Sequence, residues 1–263
     1  MRPVIALLSD FGSRDHYVGT MKGVILGICP DATLVDISHD IPPHDVMEGA
    51  LQLSACARYF PAGTIFVAVV DPGVGSRRRG IAVDTGDYRF VGPDNGLFTQ
   101  ILAELPLKKA VELTERRYGR PTVSRTFEGR DRFAPAAAWL AKGIQLPALG
   151  RAAADLHRLE IPIAEIGETS INGAVLRIDR FGNLVTNVDR KVFERFASGR
   201  QVQVSVGGRS VERLVATYAE IPAGEVCALF GSTDHLEVAA NSGSAADRLG
   251  LDRGALVEIR PSS

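Results

Sequence analysis

The sequence predicts an α/β protein: a mostly parallel sheet domain with helices on both faces, followed by a small C-terminal β barrel. Three observations carry this expectation. Up to residue 142, apolar β-branched runs alternate with helix-period segments, the pattern of a parallel sheet covered on both sides. From Asn172 onward, short strands separated by turns dominate, the pattern of a small barrel or sandwich. Between the two textures lies a stretch with Pro162 and no clear period. The expected boundaries are therefore residues 1–150 for the α/β domain, 151–171 for a linker and 172–263 for the barrel.

The elements follow in order. Residues 4–8 read as a strand, and residues 17–28 as a helix with Val18, Met21, Val24, Ile25 and Ile28 on one face. Residues 33–37 are a second strand. Pro42-Pro43 and then Asp45 announce a helix running to residue 59. Residues 64–70 and 81–85 are strands, and residues 88–91 return through the turn at Gly86-Asp87. Helices are expected over 97–104 and 134–142. In the second part, strands are expected at 174–178, 184–187, 202–206, 210–214, 226–230, 236–239 and 256–259, with Gly207-Gly208 as a two-residue hairpin.

At 263 residues the chain can bury a substantial core in one large or two modest domains. A formal charge of -1 gives no reason to expect nucleic acid or an anionic membrane as partner. Cys29, Cys56 and Cys227 are odd in number and lie in apolar segments, which reads as free thiols in a reducing compartment. No signal peptide is evident and no apolar stretch is long enough to span a bilayer, so a cytoplasmic protein is expected.

Chemistry concentrates where strands end. Asp10 in Ser9-Asp10-Phe11-Gly12, Asp71 in Asp71-Pro72-Gly73-Val74-Gly75 and Asp94 in Gly92-Pro93-Asp94-Asn95-Gly96 each follow an apolar strand. In open α/β sheets, ligands bind beyond the carboxyl ends of strands. The proline and glycines after Asp71 make a tight turn that brings an arginine of the 77–79 run back over the carboxylate. Gly73-Val74-Gly75 lacks the third glycine and the following helix of a dinucleotide fingerprint. A Walker loop and a Gly-x-Ser-x-Gly elbow are absent as well. Many aspartates and histidines precede residue 95, but without His-x-x-x-His or Cys-x-x-Cys spacing, so no metal site is expected. Taken singly, Asp71 reads as a turn residue, Asp131 as the cap of the following helix, and the stretch 179–183 as a hairpin turn. Their joint occurrence in this order changes the reading.

Ser9-Asp10-Phe11-Gly12, Asp71-Pro72-Gly73-Val74-Gly75, Gly92-Pro93-Asp94-Asn95-Gly96, Thr126-Phe127-Glu128-Gly129-Arg130-Asp131 and Asp179-Arg180-Phe181-Gly182-Asn183, with a tail Leu236-Glu237-Val238-Ala239-Ala240-Asn241, together resemble a known family. It is the S-adenosylmethionine hydrolases, or S-adenosylmethionine hydroxide adenosyltransferases, relatives of the fluorinating and chlorinating enzymes. The resemblance covers nearly the whole chain. It implies hydrolysis of S-adenosyl-L-methionine to adenosine and methionine by attack of activated water at the ribose C5′, with no metal and no organic cofactor. It further implies a homotrimer whose site lies between the first domain of one subunit and the barrel of its neighbour.

By the same resemblance, Asp10 binds the ribose hydroxyls, Asp15 and Asp179 hold the methionine ammonium, and Asn183 reads the adenine edge. Backbone around Asn241 and Ser242 assists, and Ser232 meets the methionine end. Asp71 and Arg78 match two of the three residues that handle the water. Glu128 stands where the hydrolase branch has histidine, and it either pairs with Arg78 and orients it or serves as an auxiliary base. The halogenating relatives carry tyrosine and threonine at the positions of Asp71 and Val74, so this chain resembles the branch that uses water. Two other functions fit the same residues: a module that binds S-adenosylmethionine or adenosine without turnover, and a metal-dependent phosphoesterase built on the strand-end aspartates.

Overall fold

Val4-Ile5-Ala6-Leu7-Leu8-Ser9 forms β1 (Val4–Ser9), a strand buried on both faces, as an unbroken apolar run requires. In the computed structural model, which describes residues 2–262, the chain divides between Glu160 and Ile161 into two compact units.

The first unit continues with α1 (Tyr17–Ile28), β2 (Thr33–Ser38), α2 (Val46–Ala57), β3 (Ile65–Val69), β4 (Gly80–Asp84), β5 (Arg89–Pro93), α3 (Thr99–Glu104), β6 (Lys109–Leu113), α4 (Ala134–Ala141) and β7 (Gly150–Ala152). These strands make one seven-stranded sheet in the order β2-β1-β3-β5-β4-β6-β7. The four strands β2, β1, β3 and β5 are mutually parallel. β4, β6 and β7 extend the sheet antiparallel.

Alternation along the strands sorts the core into two layers. Ile5, Leu7, Val67 and Val69 pack with Met21 and Ile25 of α1 and the alanines of α4. Ala6, Leu8, Phe66, Ala68 and Val70 face the other way, against Leu53 and Ala57 of α2 and Ile101 of α3. Asp45 caps α2 as its position suggests, its side chain accepting from the Glu48 amide at 3.0 Å. β6 and β7 were not expected. β6 is short, with only Val111 and Leu113 beside Ala110 to mark it, and β7 is three residues long. Residues 153–160 lie on this unit, held by Arg79 Nη1 to Asp155 Oδ1 at 2.8 Å and by the amides of His157 and Leu159, which donate to Asp94 Oδ1 and Thr99 Oγ1, each at 2.8 Å.

The second unit contains β8 (Glu165–Ile166), β9 (Ile171–Ile178), β10 (Leu184–Asp189), α5 (Arg190–Ala197), β11 (Val202–Val206), β12 (Arg209–Val211), β13 (Val226–Phe230), β14 (His235–Ala240), α6 (Ala245–Leu249) and β15 (Leu256–Pro261). The sheet runs β12-β11-β15-β9-β10-β14-β13, antiparallel throughout. Its edges approach closure: the Ala228 amide of β13 donates to Arg213 O at 2.8 Å and the Val215 amide donates to Ala228 O at 3.0 Å. A nearly closed barrel results, filled by Ile171, Val175, Leu184, Val204, Val238, Val257 and Ile259 among others.

Two helices here were missed. Asp189 caps α5 by accepting from the amides of Lys191 and Val192, and Phe193, Phe196 and Ala197 turn inward at helical spacing. Ser244 caps the single-turn α6. Among the described residues, no helix is long and apolar enough to cross a membrane.

Candidate active site

A cleft of about 300 Å3 in the first unit is lined by Asp10, Phe11, Tyr17, Pro43, His44, Val69, Asp71, Val74 and residues 126–129. It lies past the carboxyl ends of the parallel strands β1 and β3, where the sheet topology places ligands. Asp10 leaves β1 in a turn fastened from β2. The Ser9 hydroxyl bonds His39 Nδ1 at 2.7 Å, His39 Nε2 reaches Asp36 Oδ1 at 3.0 Å, and the Gly12 amide donates to His39 O at 2.7 Å. The His44 amide donates to Asp10 Oδ2 at 2.9 Å, leaving the other carboxylate oxygen for a ligand.

Asp71 lies two residues beyond β3. The turn after it is closed by the Val74 amide to Asp71 O and the Ser76 amide to Gly73 O. Gly75 is at φ +77, and a Cβ there would lie 2.5 Å from Arg125 O, so only glycine fits between this turn and the loop before Glu128. The turn sends Arg78 back over Asp71 in a two-pronged contact, Nε to Oδ1 at 2.9 Å and Nη2 to Oδ2. The third nitrogen of the same guanidinium, Nη1, is 2.6 Å from Glu128 Oε2. The side chains of Asp71, Arg78 and Glu128 are only 5, 10 and 12% exposed. Burial disfavours the Arg78 cation, but its hydrogen bonds to Asp71 and the close negative charges of Asp71 and Glu128 outweigh that and raise its pKa further. Arg78 also lies over the Phe133 ring, 5.3 Å from its centre.

Glu128 opens a π turn, Gly129–Phe133, that runs straight into α4. π turns are rare and cluster at functional sites, because the extra residue re-aims the side chains around it. Here the turn places Arg132 so that Nη1 donates to Glu128 Oε1 at 3.1 Å while Nη2 donates to Leu113 O at 2.6 Å. Asp131, read as a helix cap, is instead wholly buried. It accepts from Arg130 Nε at 2.6 Å and from the Ser124 amide at 2.8 Å, with Arg120 at 3.3 Å. Its carboxylate is a clamp between the incoming loop and the π turn. Asp94 is likewise absorbed by structure, gripped by Arg79 and the His157 amide. Asn95 holds Val70 O at 2.8 Å.

Sequence reasoning passed over the aromatic wall of the cleft. Phe11, Tyr17 and Phe127 stand at ring-centre separations of 5.1 to 5.9 Å. Phe11 and Phe127 belong to the motifs already singled out, and the signal was an aromatic next to each polar residue. Asp15 is exposed in the loop before α1 and is not among the residues lining the cleft. A larger cavity of about 670 Å3, walled by residues 113–121 with Val123, Arg132, Ala136 and Leu149, includes none of the expected site residues.

The remaining expected residues lie in the second unit. Asp179 and Asn183 face each other across a tight turn: Asp179 Oδ1 accepts from the amides of Phe181 and Asn183, and Oδ2 from Asn183 Nδ2, each at 2.9 Å. Asn183 is buried, whereas Phe181 at the turn tip is 75% exposed. Asp179 also borders a groove of about 400 Å3 with Ser244 and Asp247. Asn241 Nδ2 donates to Ile221 O at 2.7 Å, and its Oδ1 accepts from the Ser242 hydroxyl at 3.1 Å. Ser232 is exposed in the turn between β13 and β14. Nearby, Glu237 is buried in β14, where desolvation and then Asp179 raise its pKa. The three cysteines are free, and burial pushes the Cys56 thiol up to about 11. Among the described residues, no three His, Cys, Asp or Glu side chains gather as a metal ion would need.

Comparison with known proteins agrees with this arrangement. Residues 5–150 match the SAM hydroxide adenosyltransferase N-terminal domain, and residues 173–258 match its C-terminal domain. The chain is 41% identical to a (R)-S-adenosyl-L-methionine hydrolase of Thermus thermophilus, across 98% of this chain and all of that protein. It is 31% identical to a fluorinase of Nocardia brasiliensis over 98% of this chain and 97% of that one. A crystal structure of an uncharacterized conserved protein from Thermotoga maritima superposes with a TM-score of 0.90 at 34% identity, covering 97% of this chain and 99% of that one. Both halves of the chain and the whole of its length therefore place it in one family: the chain belongs to the SAM hydroxide adenosyltransferases.

Proposed function

We propose that this protein hydrolyses S-adenosyl-L-methionine to adenosine and L-methionine, and that its substrate is the (R) epimer at sulfur named for its hydrolase relatives. The observation that carries the reading is the buried Asp71 carboxylate, gripped by Arg78, on the wall of the same cleft as Asp10. A carboxylate offers about four acceptor positions, and Arg78 takes two of those on Asp71, leaving the others for water. Asp10 keeps an oxygen for the ribose hydroxyls, which would set C5′ against that water.

The step balances simply. A water oxygen forms a bond to C5′ as the C5′–S bond breaks, and the bonding pair passes to sulfur. Methionine leaves as a neutral thioether, and the water's proton passes to the carboxylate and then to solvent. No general acid is needed for such a leaving group. Alignment of water with the C5′–S axis can supply roughly 7–11 kcal/mol in the best intramolecular cases. A placed base typically adds about 10²–10⁴-fold. The Asp71 oxygens not taken by Arg78 are acceptors, which suits a water that can donate to them better than a halide that cannot.

Asp71, Arg78 and Glu128 form the reading's water-handling group, with Asp10 for ribose. Asp15, Asp179, Asn183, Ser232, Asn241 and Ser242 are its groups for methionine and adenine. The last five belong to the barrel, which supports a homotrimer in which each cleft is completed by a neighbour's barrel.

The test is incubation of chelator-treated protein with each sulfonium epimer in ¹⁸O-water, read by mass spectrometry. Adenosine labelled at the 5′ oxygen, formed faster from the (R) epimer, is the expected result. Ligand-induced thermal protection without product would make this a binding protein, and loss of activity on chelation would favour the metal-dependent reading.

A further inference from the structure

Glu128 brings a second negative charge to a site that Arg78 alone would have to neutralise. Asp71 and Glu128 both contact Arg78, and all three side chains are nearly buried. Two carboxylates against one guanidinium leave an uncompensated charge, and burial makes such an excess costly. The fourth member is at hand. Arg132 donates to Glu128 Oε1 at 3.1 Å from the far side and is itself anchored on Leu113 O at 2.6 Å. The result is a chain of alternating sign, Arg132–Glu128–Arg78–Asp71, with no net charge.

The direction of the contacts says what Glu128 does in this chain. Its Oε2 is buried and has no aligned hydrogen-bond partner among the described residues, so Arg78 meets it as an ion contact. An oxygen sealed in that way is poorly placed to take a proton from water, and well placed to pull on the guanidinium. Asp71 differs, since that carboxylate meets Arg78 along both N–H directions.

We propose that Arg132 is a positioning residue of this site: it holds the Glu128 carboxylate in place, so that Glu128 steers Arg78 onto Asp71. This rests on the hydrolase reading for its kinetic consequence, but the coupling itself does not. The other charged or titratable groups near Glu128 are Asp10, Tyr17 and His44 across the cleft, and Arg130 and Asp131 on its own turn. Arg130 and Asp131 already pair with each other, and His44 binds Asp10 through its backbone amide. Arg132 is thus the cation positioned to balance Glu128.

Two measurements test this. The first needs no turnover: the Glu128 side-chain carboxyl is titrated by ¹³C NMR in the parent and in Arg132→Met, with Glu128→Gln used to assign its signal. Removing the cation is expected to raise the Glu128 pKa by about one unit or more. An unchanged pKa overturns the proposal. The second is the pH profile of turnover. In Arg132→Met, kcat falls about 10-fold to 100-fold with KM little changed, and its acid limb moves to higher pH. Arg132→Lys keeps the charge and holds that limb in place while losing part of kcat. In the Glu128→Gln background, Arg132→Met has little further effect, because a neutral amide needs no counter-cation. An equal loss in both backgrounds with no pH shift would mean that Arg132 serves only the Leu113 carbonyl. A parent protein inert toward both epimers would sink the hydrolase reading, and the titration would still decide on Arg132.

Discussion

Arg78 holds two carboxylates in a space that water scarcely reaches. Among the described residues it is the one cation in contact with both Asp71 and Glu128, and each of the three side chains has given up most of its water. Truncating one partner of a buried ion pair typically costs about 3–5 kcal/mol, because the other partner is left charged and unsolvated. Arg78→Met is therefore expected to destabilise the protein by an amount of that order and to abolish turnover. Urea unfolding, compared with Asp71→Asn/Arg78→Met, checks the cause: replacing one carboxylate as well should recover part of the loss. Recovery of nothing would mean that Arg78 stabilises by packing on Phe133 instead.

At the scale of elements, the site is assembled from ends rather than middles. β1 and β3 deliver Asp10 and Asp71, and the π turn delivers Glu128 and Arg132. The loop before that turn is pinned by Asp131, whose burial would raise its pKa but whose hydrogen bonds from Arg130 and the Ser124 amide, with the charges of Arg130 and Arg120, lower it overall. A carboxylate with a lowered folded-state pKa stabilises the protein above its unfolded value, near 3.8, and that contribution disappears as the pH falls below it. Wild-type protein should therefore lose more urea resistance between pH 5.5 and pH 3 than Asp131→Asn does, both run in the same buffers. Equal losses would show that Asp131 gives no net pH-dependent stability.

On the scale of the whole molecule, the residues proposed above to meet the substrate fall in two compact units. If each cleft is completed by a neighbour's barrel, two inactive variants should complement. Asp71→Asn disables the first-unit half and Asn183→Ala the barrel half. Mixed trimers formed by co-expression would contain clefts in which both halves are intact, and would regain a fraction of wild-type turnover. Sedimentation should give three times the 28.2 kDa chain mass. A monomeric mass, or no recovery in verified mixed oligomers, would end the shared-site reading.

Much of this architecture was legible in the chain because period and end signals are local. The first five strands, the Asp45 cap and the Gly207-Gly208 hairpin follow from neighbours a few residues apart. The short β6 and β7 did not announce themselves, and α5 was lost among strands although Asp189 and the Phe193–Phe196 spacing marked it. Motif order sufficed to assign the family, to single out Asp71 and Arg78, and to suggest that Glu128 pairs with Arg78. What only the tertiary structure decided is which charges share a buried space. Arg132 and Leu113 lie 19 residues apart, Gly75 fits because Arg125 O comes close, and Asp94 and Asp131 are consumed by clamps rather than left for a ligand. Such contacts depend on the packing of distant segments. The energy of a buried charge depends on every neighbour that replaces its water, and a linear sequence does not name those neighbours.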